Sequence, residues 1–147
     1  MSLISTKHAL TTFRKMFGDE GKYHTVVMGS LHNQQFKFAK QYDWAQRGAE
    51  GNANWKYSEI NSGKYNLVVN LCCEHMAPMS GITLLDTVYL LQSNNRYSDT
   101  HINRITNIED FLMQIELTEI IYYDICTFEG VEYYTVIGEK LSAISLA

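Results

Sequence analysis

Residues 71–76, Leu-Cys-Cys-Glu-His-Met, set two thiols, a carboxylate and an imidazole side by side. Those are the side chains of zinc sites and of cysteine nucleophiles. A zinc site needs about four ligands converging as a tetrahedron, usually as spaced pairs such as C-x-x-C with a second pair elsewhere. Neighbours on a strand point to opposite faces, so Cys72 and Glu74 would share one side, and Cys73 and His75 the other. That leaves at most a pair of ligands per side. A cysteine nucleophile needs a histidine close in space, and His8, His24, His32, His75 and His101 are scattered along the chain. The run therefore reads as structural cysteines closing a strand, with metal or redox chemistry at Cys72, Cys73 or His75 as the alternative. The chain has no Walker loop, G-x-G-x-x-G, H-E-x-x-H or G-x-S-x-G. No catalytic, cofactor-binding or metal residue is assigned from the sequence, although the absence of these motifs does not exclude an unfamiliar enzyme.

The most patterned stretch is Asn-Trp-Lys-Tyr-Ser-Glu-Ile-Asn-Ser-Gly-Lys-Tyr-Asn-Leu-Val-Val, residues 54–69. Its arms alternate with a period of two: Trp55, Tyr57 and Glu59 on one, Tyr65, Leu67, Val69 and Leu71 on the other. Asn-Ser-Gly between them suits a three-residue turn with glycine in the left-handed position. This spacing predicts a central antiparallel hairpin over residues 55–71, with Tyr57 and Tyr65 facing or diagonal across it. Trp55, Tyr57 and Tyr65 are candidates for a partner or ligand surface as well as for packing. Glu59 interrupts their apolar face. It sits either at a wet sheet margin or where a loop or partner meets its carboxylate, because burying it unpaired would cost several kcal/mol.

Around this hairpin, Ala9, Leu10, Phe13, Met16 and Phe17 recur at helical spacing before Gly18. Residues 22–30 lean towards a strand by β-branching. Phe38, Tyr42 and Ala45 suggest a helix over residues 34–46. Ile82, Leu85, Val88 and Tyr89 suggest another, running to about residue 92. Thr106 and Glu109 have capping-box spacing ahead of Ile108, Phe111, Leu112 and Ile115, which predicts a helix over about 107–118. Residues 121–137, with Glu129-Gly130 at the turn, read as a C-terminal hairpin. The chain shows no repeat, low-complexity tract or linker. The expected architecture is a single compact α+β domain over residues 1–147, with a central hairpin, several amphipathic helices and a C-terminal hairpin.

Composition agrees with a globular chain: 147 residues, 46% apolar, 12% aromatic, 19% charged and a single proline. No apolar run approaches the roughly 20 residues of a membrane span, and no secretory signal opens the chain, so a cytoplasmic location is expected. The three cysteines, Cys72, Cys73 and Cys126, form no disulfide framework. Among the basic residues only Arg14 and Lys15 are adjacent, which argues against direct nucleic-acid binding. The formal net charge of −4 argues against imitation of DNA, whose duplex carries about one charge per 1.7 Å of axis.

Trp55, Tyr57, Glu59, Ile60, Gly63, Tyr65 and Leu67 follow W-x-[FY]-x-E-[LI]-x-x-G-x-[FY]-x-[LM]. This pattern resembles the central hairpin of the ArdB/KlcA antirestriction proteins. Two shorter stretches are similar to that family as well: Arg-Lys-Met-Phe-Gly at 14–18 and Met-Ala-Pro-Met-Ser-Gly-Ile at 76–82. The resemblance covers about half the chain and carries over no catalytic residue. It implies a non-enzymatic α+β protein of a plasmid, phage or other mobile element that relieves type I restriction of incoming DNA. A restriction-modification complex or another host protein is then the expected partner. The alternative is a small α+β domain, also from a mobile element, that binds a small ligand in an aromatic pocket. The tyrosine-rich C-terminal strands also offer a sheet edge for a homodimer.

Overall fold

An apolar run without alternation is buried on both faces, and the middle of a mixed sheet is where a strand can be covered twice. Two stretches buried without alternation, Leu67–Leu71 and Thr87–Asn94, organise this protein. A computed structural model describes residues 3–29, 40–43, 54–72, 79–96 and 105–142. In chain order the elements are α1 (Leu3–Phe17), β1 (Thr25–Gly29), β2 (Lys40–Asp43), α2 (Asn54–Ile60), β3 (Leu67–Leu71), β4 (Thr87–Asn94), α3 (Ile108–Gln114), β5 (Glu119–Phe128) and β6 (Val131–Lys140). Short 3-10 turns occupy Glu20–Lys22 and Met79–Gly81. The strands form one six-stranded mixed sheet in the order β2-β1-β3-β4-β6-β5. β1 to β4 are mutually parallel, and β6 and β5 continue the sheet antiparallel. The class is mixed α+β.

Alternating strand residues feed two apolar clusters, one per face. On one face Val27, Leu67, Val69, Leu90 and Ile137 pack with Ala9, Leu10 and Phe13 of α1. On the other, Val26, Met28, Val68, Tyr89, Leu91, Tyr134 and Val136 pack with Ile60 of α2, Ile108 and Phe111 of α3, and Met79, Ile82 and Leu84. Helix α1 presents Ala9, Leu10 and Phe13 at spacings of three and four, as its sequence predicts. Met16, on the flank of that stripe in the last turn, is 42% exposed. Gly18 ends α1 at φ +83°, with its N–H bonded to the carbonyl of Arg14, a left-handed helix stop.

Three expectations are corrected. Residues 54–60 form α2, so the hairpin expected over 55–71 is replaced by helix, loop and a parallel strand. Alternation over so few residues does not separate strand from helix. Here Tyr57 and Ile60, three apart, turn one helical side onto the core. Asn61 then fixes the helix end, donating to the Gly81 carbonyl and accepting from the Thr83 N–H. The helix expected over 82–92 is strand β4, whose β-branched and aromatic residues are covered on both sides. Asp86, at φ +56°, makes the left-handed turn into it. The helix expected over 34–46 is a strand at residues 40–43, and the rest of that span lies outside the described residues.

Helix α3 begins one residue later than the Thr106–Glu109 spacing predicts. Asn107 is its N-cap and accepts from the Asp110 N–H, while the Asp110 carboxylate accepts from the Thr106 N–H and hydroxyl. It ends at Gln114 rather than near 118. Among the described residues no helix is long and apolar enough to cross a membrane.

Candidate functional site

β5 is the element whose residues the core does not consume. It runs for ten residues at the end of the sheet, hydrogen-bonded to β6 on one side, and no described strand pairs with its other side. The hairpin with β6 closes through Glu129, at φ +53°, and Gly130, at φ +77°. Cross-strand partners Cys126 and Tyr133, Asp124 and Thr135, and Tyr122 and Ile137 fix which residues share a face. Tyr122, Asp124, Cys126 and Phe128 point towards α1 and are half-buried. Ile121, Tyr123 and Ile125 point to the opposite face and are exposed, at 37%, 55% and 49%. A register irregularity between Ile120 and Tyr122 turns two consecutive isoleucines outward, since Ile120 is exposed as well.

Charge is distributed unevenly around this strand. Residues 105–139 contain eight of the 16 acidic side chains, namely Glu109, Asp110, Glu116, Glu119, Asp124, Glu129, Glu132 and Glu139, and no lysine, arginine or histidine. Edge strands of monomeric proteins are commonly blunted by lysine or proline, and β5 has neither.

On the α1 side, His8 meets the strand. Its Nε2 lies 2.7 Å from Asp124 Oδ2 and 3.5 Å from Cys126 Sγ, and its ring lies 5.5 Å from that of Phe128. The Tyr122 hydroxyl donates to the same Asp124 oxygen at 2.9 Å. Asp124 Oδ1 is buried and has no hydrogen-bond partner among the described residues. Loss of hydration and the Asp124 carboxylate push the Cys126 thiol up, and the hydrogen bond to Asp124 raises the Tyr122 phenol. A Cys-His-Asp catalytic arrangement needs the nucleophile and the orienting carboxylate on opposite imidazole nitrogens. Here both face Nε2, and the thiol is held protonated. The cluster is therefore not set up for nucleophilic catalysis.

The side chains singled out in the sequence have other settings. Trp55, Tyr57 and Glu59 lie in α2 rather than on a sheet. Tyr57 and Tyr65 pack against the apolar cluster that α2 and α3 cover. The Tyr57 ring lies where a Cβ on Gly81 would fall, so that glycine is needed for the contact. Glu59 is half-buried on α2. Cys72 closes β3 at φ +57°, hydrogen-bonds to Gln92 Oε1, and is pushed up to about 11 chiefly by burial. It is a structural thiol, tied through Gln92 to the Ser5 carbonyl and Thr135. Cys73, Glu74 and His75 lie outside the described residues.

Neither His8 nor the Asp124–Cys126 pair stands out in the sequence, because 116 residues separate His8 from Asp124. The signals available were Asp-x-Cys at strand spacing and the run without a basic residue. No known family model and no curated protein sequence matches this chain.

Proposed function

We propose that the protein is a non-enzymatic interaction protein that receives a basic segment of a partner along β5. The observation that carries this reading is a ten-residue edge without a described neighbour, exposing Ile121, Tyr123 and Ile125 within a stretch that holds only acidic charges. A strand added to such an edge gains main-chain hydrogen bonds, and alternate side chains provide selectivity. Apolar residues ringed by carboxylates favour a partner strand that is apolar in the middle and basic at its margins. Pairing of β5 with a second copy would bring the Glu119 end of one chain beside the Glu129 end of the other, and like charges placed opposite destabilise a sheet. A partner with positive charge is the better match.

The resemblance in sequence of residues 14–18, 55–67 and 76–82 to the ArdB/KlcA antirestriction proteins supplies a class for that partner, although α2 stands here in place of the hairpin that the pattern implied. A type I restriction complex handles DNA and therefore carries basic surfaces, so relief of type I restriction is the function proposed. The test is the plating efficiency of unmodified phage on cells carrying a type I system, with and without the protein. Expression should restore plating. A folded Ile125→Lys variant, which sets a like charge against the partner, should lose the effect, while Ile4→Lys on exposed α1 should keep it. Unchanged plating at good soluble expression would overturn the antirestriction reading for the system used.

A further inference from the structure

Three metal-ligating side chains of different type converge where His8 of α1 reaches β5: its imidazole, a carboxylate oxygen of Asp124 and the thiol of Cys126. Their ligand atoms all lie within 4.8 Å of one another. We propose that these three residues hold a zinc ion between α1 and β5, with water in the fourth position. Geometry supports it first. Zinc bonds of about 2.3 Å to sulfur and 2.0–2.1 Å to nitrogen or oxygen imply tetrahedral edges of roughly 3.5 Å for sulfur–nitrogen and roughly 3.3 Å for nitrogen–oxygen. The His8 Nε2–Cys126 Sγ separation is 3.5 Å, already at that value. The His8 Nε2–Asp124 Oδ2 separation of 2.7 Å must open by about 0.6 Å, a small change of side-chain torsion.

The surroundings support it independently. Asp124 Oδ1 is buried with no partner among the described residues, and a buried carboxylate oxygen left so is costly. A dication bound at Oδ2 would offset that cost through its charge, without contacting Oδ1. The Tyr122 hydroxyl donates to Asp124 Oδ2, the oxygen that would bind the ion, and so fixes the orientation of that carboxylate as an outer contact. One thiolate and one carboxylate neutralise Zn²⁺, with the Cys126 proton released to solvent on binding. Imidazole, thiolate and carboxylate together suit zinc better than magnesium or calcium, which prefer oxygen ligands. Three protein ligands and a water is also the composition of zinc sites open to a further ligand. The proposal does not depend on β5 receiving a partner, because the ligands lie on the face of the strand opposite Tyr123 and Ile125.

The test uses the purified, reduced full chain stripped of metal, with zinc chloride and cobalt chloride as probes. The expected results are one zinc per chain, a higher melting temperature with zinc, and a thiolate-to-cobalt charge-transfer band. Cys126→Ser should abolish that band and weaken zinc binding by about 100-fold or more, beyond the 10–100-fold typical of an outer-contact change. Cys72→Ser should leave both intact. If Cys126→Ser does not fold, His8→Gln on the half-exposed side of α1 gives the same comparison through loss of stoichiometric zinc. A folded wild-type protein without the band would overturn the proposal, and so would a band that survives in Cys126→Ser.

Discussion

The placement of every β5 side chain depends on its register against β6, and Gly138 is the residue most sensitive to that register. Gly138 pairs with Ile120 on one side and Tyr89 on the other. A Cβ there would fall 2.5 Å from the Glu119 carbonyl oxygen and 2.7 Å from Leu117 Cδ1. The leucine can turn aside, but the backbone oxygen cannot. Gly130 is the natural comparison, because it sits at φ +77° with nothing within 4 Å of an added Cβ. Gly130→Ala meets only left-handed strain of about 1–2 kcal/mol, offset by about 0.4–1 kcal/mol from reduced freedom of the unfolded chain. The net loss should be about 0.5–1 kcal/mol. Gly138→Ala has the same offset but an overpacking cost near the upper end of about 1–3 kcal/mol, leaving a loss of about 2 kcal/mol. At about 2–4 °C per kcal/mol for a chain near this size, the melting temperature should fall by roughly 4–8 °C for Gly138→Ala and by about 1–4 °C for Gly130→Ala. Urea and thermal melts of both variants measure the difference. If Gly138→Ala is no more destabilising than Gly130→Ala, Gly138 does not face the Glu119 carbonyl. A register slipped by one residue would then turn Asp124 and Cys126 away from His8.

Removing the α3 cap with Asn107→Ala should cost about 1 kcal/mol in a urea melt. Hydrogen bonds from the Thr106 hydroxyl and N–H hold the Asp110 carboxyl below its ordinary value of 3.8. A carboxyl depressed in the folded state adds stability above its unfolded value and loses it as pH falls through the folded one. Acid titration of the melt should therefore show a shallower loss of stability below about pH 4 in Asp110→Asn than in the wild type. Buried Lys140 donates to the carbonyls of Met79 and Ile82; Lys140→Met leaves the Met79 carbonyl its bond from the Ile82 N–H but takes the lysine from the Ile82 carbonyl, which should cost about 1–3 kcal/mol at neutral pH. With Cys73 and Cys126 replaced by serine, Cys72 should alkylate at pH 8 roughly 100-fold more slowly than a thiol of ordinary pKa, because its own lies at about 11. A rate near that of free cysteine would refute its burial.

The parts of the fold legible in the sequence are those where local pattern and tertiary setting agree. Ala9, Leu10 and Phe13 form a stripe on α1 because that helix has one buried side. The Glu129-Gly130 turn and the alternation before it mark the C-terminal hairpin because β5 is covered on one face only. β4 was hidden for the opposite reason: covered on both faces, it shows no alternation, and Ile82, Leu85, Val88 and Tyr89 fall at helical spacing by coincidence. Leu85 is in fact 55% exposed. In α2, Trp55, Tyr57 and Glu59 alternate like a strand, yet the contact that fixes the element is Tyr57 over Gly81, between residues 24 apart that no local pattern joins. His8, Asp124 and Cys126 come together only because α1, packed on the sheet over β1, β3, β4 and β6, reaches β5 through His8. The concentration of acid around β5 was visible in the sequence, but a net charge of −4 averages it against nine lysines and arginines in the first 64 residues.

A partner strand on β5 is tested by binding of the protein to a purified type I restriction complex across a series of salt concentrations. Binding should weaken as salt rises, be lost in Ile125→Lys and Tyr123→Lys, and persist in Ile4→Lys. Absence of binding, or equal binding by all three variants, would contradict it.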